Sequence, residues 1–312
     1  MSAAAEPFDP SVLPDPHRVL LPSRAYLLSI RDQTLPVRRR ALEDAEAMFD
    51  ELTSDEGAGV RDMALLGLIG EAMQALEDLS YFGRAFENPL PHLPYYVTAT
   101  VYSDRTPTNF FGSLPKWPDE RFLVLAVLRV KDPAGKTLRV LEVLEAEDQF
   151  SQASLAAIAE AESATVSFLR EALRRLAKTW TDFRPYFHAY KHGALLINRD
   201  DIQILEEDGA ERHPSIAVWL RKKGCADPHV DTNLTPEEVA AEIAWAGRLA
   251  LDVTQFLVDS RLRLFEQFEI DQRGQVTGLQ MRTPLGFWFQ EGDISGQSHD
   301  ALEALGITFR RF

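Results

Sequence analysis

Four side chains near the middle of the chain have the types and spacing to hold an anion or move a proton: Arg184, His188, Lys191 and His192. They lie in the run Thr-Trp-Thr-Asp-Phe-Arg-Pro-Tyr-Phe-His-Ala-Tyr-Lys-His-Gly, from Thr179 to Gly193. Imidazole titrates near neutrality, and guanidinium and ammonium groups bind phosphate or carboxylate. On a helix these four gather on one side, while Phe183, Tyr186, Phe187 and Tyr190 gather on another. Pro185 suits the first helical position and Gly193 the left-handed position just past the last, so the pattern predicts a short helix over 185–192. The polar side fits a binding or proton-transfer site. It also fits the solvated edge of an amphipathic helix, with Lys191 and His192 drawn to the last turn by the helix dipole.

His188 and His192 stand four apart, the spacing at which two imidazoles on one turn can share a metal. A zinc protease motif would carry Glu beside the first His, where Ala189 stands, and no third ligand can be picked out. No metal site is expected. The phosphate-binding Gly-Lys-Ser/Thr loop, the Gly-x-Ser-x-Gly elbow and the dinucleotide Gly-x-Gly-x-x-Gly fingerprint are all missing, so no cofactor is implied.

The elements that must position these residues are mostly helical. Apolar residues recur at three- and four-residue steps from about 36 to 52, from 60 to 86 (Leu65, Ile69, Met73, Leu76, Leu79), from 151 to 180, and from 235 to 268. Thr235-Pro236-Glu237-Glu238 supplies a cap, a first-turn proline and a capping-box glutamate. Gly67 and Gly70 weaken the second of these helices by about 1 kcal/mol each relative to Ala, and close packing there would account for them.

Between the helices the reading is β. Tyr95–Tyr102 predicts a strand, Thr106–Pro118 an irregular loop, and Arg121–Val130 with Thr137–Leu144 a hairpin, giving a small antiparallel sheet over 95–145. Short runs at Ala194–Ile197, Asp201–Leu205 and Ser215–Leu220 predict a second β element over 194–222. The expected class is therefore α+β, mainly α: about four long helices with a small antiparallel sheet and a second β-hairpin element packed on them. Residues 1–22, with Pro10, Pro14, Pro16 and Pro22, read as a flexible arm. Residues 23–312 read as one domain, with the bundle at 36–86 and 151–268 and a C-terminal tail at 269–312. In that tail Gly286-Phe287-Trp288-Phe289 offers an aromatic surface for a subunit contact.

A chain of 312 residues, 45% of them hydrophobic, can bury a full core without covalent staples. Its single cysteine, Cys225, permits no internal disulfide and suits the cytoplasm. No apolar run is long enough to span a bilayer, so no membrane partner is expected. The net charge of −15 opposes non-specific adhesion to polyanions, though a local basic patch can still exist on an acidic body.

Arg184 followed on one helix by His188 and His192, the ending Tyr-Lys-His-Gly, and long helices on both sides resemble the HEPN superfamily of α-helical nucleotide-binding and ribonuclease domains. Active members of that family place four to six residues between Arg and His. Here Arg184 is separated from His188 by three and from His192 by seven, and Pro185 stands where a polar residue is common. The resemblance implies a metal-independent ribonuclease, or a binder of RNA or nucleotide phosphate, with a homodimer bringing two such helices together. In that chemistry His188 and His192 serve as acid and base while Arg184 or Lys191 stabilises phosphorane charge. Inactive relatives with similar bundles imply the other reading, a non-enzymatic interaction or scaffold protein.

Overall fold

The computed structural model describes residues 20–52, 58–86, 106–126, 129–131, 137–139, 150–191, 204–205, 211–212, 217–222, 225–230, 236–270, 276–279, 287–289, 292–305 and 309–311. Four helices dominate: α2 (Leu35–Glu51), α3 (Ala58–Ala85), α6 (Gln152–Lys191) and α7 (Pro236–Gln267). A shorter α1 (Leu20–Ser29) runs through a π-helical turn at Ile30–Thr34 directly into α2. Two brief helices, α4 (Thr106–Ser113) and α5 (Asp119–Leu125), lie between α3 and α6, and α8 (Gly296–Ala304) lies near the end.

The centre of the bundle is α3, which packs against α2, α4, α6 and α7. Its apolar residues occupy more than one stripe: Leu65, Leu68, Ile69, Ala72, Met73, Leu76 and Leu79 are all sealed from solvent. A helix buried on several sides needs apolar residues beyond the i, i+3, i+4 positions, and this one has them. It lies close against α7, where a Cβ on Gly247 would meet the Ala72 Cα at 3.1 Å and Leu42 Cδ2 of α2 at 2.9 Å. Ion pairs from Arg39 to Asp252 (2.7 Å) and from Arg248 to Glu46 (2.5 Å) fasten α2 to α7. Gly70 is explained by the Tyr190 ring, whose Cε1 lies 2.5 Å from where a Cβ would stand; nothing crowds Gly67.

The expected α+β class is not what the chain adopts: it is mainly helical. Where an irregular loop was predicted at 106–118 there is α4, and where the strand 121–130 was predicted there is α5. The run from Phe122 is apolar on both faces, and such a run does not distinguish a buried strand from a buried helical turn. Pro118 followed by Asp119 and Glu120 in the first turn favours the helix, since carboxylates there meet the positive end of the dipole. All that is described of the predicted hairpin is the ladder between β1 (Arg129–Lys131) and β2 (Thr137–Arg139), each three residues long.

The second β element fares similarly. It reduces to a pairing of β3 (Ile204–Leu205) with β4 (Glu211–Arg212) and of β5 (Ala217–Lys222) with β6 (Cys225–Val230). Further ladders join β7 (Phe268–Ile270) to β8 (Val276–Leu279), and β9 (Phe287–Phe289) in parallel to β10 (Phe309–Arg311). Among the described residues no ladder grows beyond two strands, so no sheet forms a layer of the fold. The predicted runs at 95–102 and 194–197 lie outside the described residues, as do 1–19 of the predicted arm. Leu20 to Pro22, assigned to that arm, begin α1.

Among the described residues of the tail, the aromatic pair Phe287 and Trp288 is enclosed. Phe287 and Trp288 are each 1% exposed. The Trp288 ring sits between Phe168 of α6 (centroids 4.4 Å apart) and Phe256 of α7 (5.3 Å), and its backbone N–H donates to Thr165 Oγ1 at 3.1 Å. The observation that motivated a subunit contact at Trp288 therefore points to an internal one.

Candidate functional site

The predicted short helix over 185–192 is instead the last part of α6, which continues unbroken from Gln152 through Pro185 to Lys191. Proline inside a helix removes a hydrogen bond and costs about 3 kcal/mol. The position tolerates that because the Thr181 carbonyl it leaves without a helical donor belongs to an exposed residue that water can reach. Burial of the neighbouring aromatics offsets the cost: Phe183, Tyr186 and Phe187 are 2%, 1% and 2% exposed. Trp180 extends this face, stacked on Phe111 of α4 (5.4 Å) and edge-on to Phe187 (6.1 Å). Tyr190, placed with them by its spacing, is half open to solvent and lies over Gly70.

On the other side Arg184 and His188 are both exposed, and Arg184 Nε donates to His188 Nε2 at 3.2 Å. A hydrogen bond in that sense uses Nε2 as the acceptor, the arrangement of an imidazole whose Nε2 carries no proton. Its lone pair is held one helical turn beyond a guanidinium that forms no ion pair with a carboxylate among the described residues.

Lys191 is not part of that pair. Its Nζ contacts Glu77 Oε2 of α3 at 2.5 Å and lies 4.5 Å from the centre of the Phe187 ring. It anchors the end of α6 to α3 instead of presenting a free charge. His192 lies outside the described residues. Of the four predicted site residues, the structure thus brings Arg184 and His188 together and gives Lys191 a structural contact.

Lys191 is the outer end of a polar chain that runs inward along α3. Gln74 Nε2 donates to Glu77 Oε2 (3.1 Å) and to Asp78 Oδ1 (3.0 Å), and Arg38 Nε of α2 donates to Asp78 Oδ2 at 3.0 Å. Burial pushes the Asp78 carboxyl above the ordinary carboxylate range, against the opposing pull of Arg38 and the Gln74 amide. Burial, aided by the nearby Asp78 charge, also lifts the Tyr26 phenol to about 12.

Arg261 is the other charged group that spacing did not expose. It is 2% exposed, inside the apolar stripe of α7. Its Nη1 donates to the carbonyls of Leu125 and Leu257 and its Nη2 to that of Phe86, all at 3.0 Å, while the guanidinium lies 3.9 Å from the Phe86 ring centre. Leu125 and Phe86 stand at the C-terminal ends of α5 and α3, where carbonyls lack helical donors and the dipole is negative. Burial lowers its pKa to about 9. Arg261 is a clamp on helix ends, enclosed by the core.

Among the described residues no group of three His, Cys, Asp or Glu side chains could hold a metal ion, and no helix is long and apolar enough to cross a membrane. No protein-family model matches the chain, no curated protein matches it, and no solved structure matches it.

Proposed function

We propose that this chain is a HEPN-like protein that binds RNA or nucleotide phosphate at the Arg184–His188 turn, with metal-independent RNA cleavage as the activity such a turn would support. The observation that carries this reading is the single contact between Arg184 Nε and His188 Nε2 on an exposed turn of α6. A phosphate arriving there takes the guanidinium donors for itself. That frees the His188 imidazole to accept the proton of a ribose 2′-hydroxyl while the arginine remains beside the developing phosphorane charge. His192 belongs to the proposal through the family resemblance and supplies the second imidazole, the acid for the leaving oxygen. The homodimer, which would bring two such turns together, rests on that resemblance alone.

A second reading has its own observation. Val37, Met48, Val60 and Met63 on α2 and α3 are between 54% and 68% exposed, and apolar side chains left in water favour a protein-interaction module. The test is incubation of the purified chain with single-stranded RNA in EDTA, alongside binding by fluorescence anisotropy. Binding lost in Arg184→Ala, with cleavage lost in His188→Ala and His192→Ala, is the expected result. Wild-type protein that neither binds nor cleaves RNA hands the case to the interaction module.

A further inference from the structure

The charged residues of α6 upstream of the site differ in what they are attached to. Arg170 is paired with Asp119 and lies 5.7 Å from the centre of the Phe122 ring. Arg175 is laid over Trp245 of α7 at 4.0 Å, and Lys178 pairs with Asp182 at 2.9 Å, which raises the lysine's pKa. Each of these cations has a structural contact. Arg174 is exposed and has neither an acidic partner nor an aromatic one among the described residues.

Arg174, Thr181, Arg184 and His188 follow one another at seven, three and four residues, so they share one flank of the helix, and all four are exposed. The acids of this part of α6, Glu171 and Asp182, fall to one side of that flank, and Asp182 is neutralised by Lys178. The Thr181 hydroxyl is turned back onto the Ala177 carbonyl at 2.9 Å, leaving a short side chain between the two arginines. At 1.5 Å per residue, Arg174 and Arg184 are about 15 Å apart. That exceeds a Debye length of about 8 Å at physiological salt, so a phosphate held at Arg184 gains nothing from Arg174.

We infer that the ligand of this face is a linear run of several nucleotides lying along α6, with Arg174 as a second phosphate contact upstream of the Arg184–His188 pair. The inference rests on the proposed RNA-binding reading and narrows it: a mononucleotide fills one end of the flank, whereas single-stranded RNA engages both. Sequence preference is not expected from this flank, since it offers guanidinium groups to the backbone and no exposed aromatic platform between them.

The test is anisotropy titration of a labelled uridine oligomer against wild type, Arg174→Ala, Arg174→Lys and Arg184→Ala across a range of salt concentrations. Loss of one phosphate contact weakens binding and lowers the slope of log K against log salt by about 1. Arg174→Ala and Arg184→Ala should each show this, with affinity down about ten-fold near physiological salt, and Arg174→Lys should keep the wild-type slope. If Arg184→Ala weakens binding and Arg174→Ala leaves both affinity and slope unchanged, the extended footprint is wrong and the local site stands. If wild type does not bind, or Arg184→Ala binds as well as wild type, the site reading fails and takes this inference with it.

Discussion

Two arginines, one near the end of each long helix, receive opposite treatment. Arg261 on α7 is 2% exposed and spends its donors on three carbonyls, two of them at the ends of α3 and α5; Arg184 on α6 is exposed and spends one on an imidazole. The first has exchanged water for backbone dipoles and can leave only if the helix ends open. The second keeps its remaining donors in solvent, where an anion can take them. Charge alone does not mark a site here; what each guanidinium is already bonded to does.

Removing the buried arginine should have the largest effect. Arg261→Ala strands the buried carbonyls of Leu125 and Phe86 at the ends of α5 and α3 and leaves a large void, so a loss on the order of 5 kcal/mol is expected in urea unfolding. A loss below about 1 kcal/mol, the size of a surface substitution, would mean that neither the hydrogen bonds nor the packing of Arg261 holds the helix ends.

A smaller effect separates the two faces of α6 near its end. Phe187→Ala should cost roughly 3–5 kcal/mol through lost burial and a cavity, whereas Arg184→Ala and His188→Ala should cost roughly 0.5 kcal/mol or less. Histidine and phenylalanine variants that melt together would make the polar face structural and remove the functional assignment.

The smallest effect is in pH. Burial raises the folded-state Asp78 carboxyl above its unfolded value, so the stability that its protonation gives is complete below the ordinary carboxylate range and is lost as pH rises through the raised value. Glu160 has the opposite sign. Its carboxylate accepts from the Ser298 hydroxyl and from the Ser295 N–H (2.8 Å) and hydroxyl (3.1 Å), which lowers its pKa, so its contribution is present above the ordinary range and lost as pH falls through the lowered value. Stability measured between about pH 4 and pH 7, bracketing the ordinary carboxylate range, should therefore fall less with rising pH in Asp78→Asn than in wild type. Parallel curves for the two proteins would count against the assigned burial.

The long helices were legible because their periodicity is sustained. The expected 60–86 became Ala58–Ala85, and the expected 235–268 became Pro236–Gln267, with Pro236 in the first position as its type predicts. The β regions misled because Phe122 to Leu125 is too short and too apolar for either period to decide, and the cue that did decide was the Pro118-Asp119-Glu120 start. Pro185 misled for a different reason. A proline that begins a helix and one tolerated inside a longer helix look alike until the burial of Phe183 and Phe187 on both sides is known. Arg184 and His188 could be read together at a spacing of four. Neither Arg261 nor the chain from Arg38 through Asp78 to Lys191 could be, since those partners lie on different helices and meet only in the folded bundle.

Trp288 gives the chain a checkpoint on its own assembly. The ring lies between Phe168 and Phe256, and the Trp288 backbone N–H donates to the Thr165 hydroxyl, so the residue's seat exists only after α6 and α7 lie side by side. Neither helix alone offers two walls. The C-terminal segment therefore acts as a reader of helix pairing: it can be sheltered only by a bundle already in register, and a chain whose two longest helices mispair keeps a tryptophan in water.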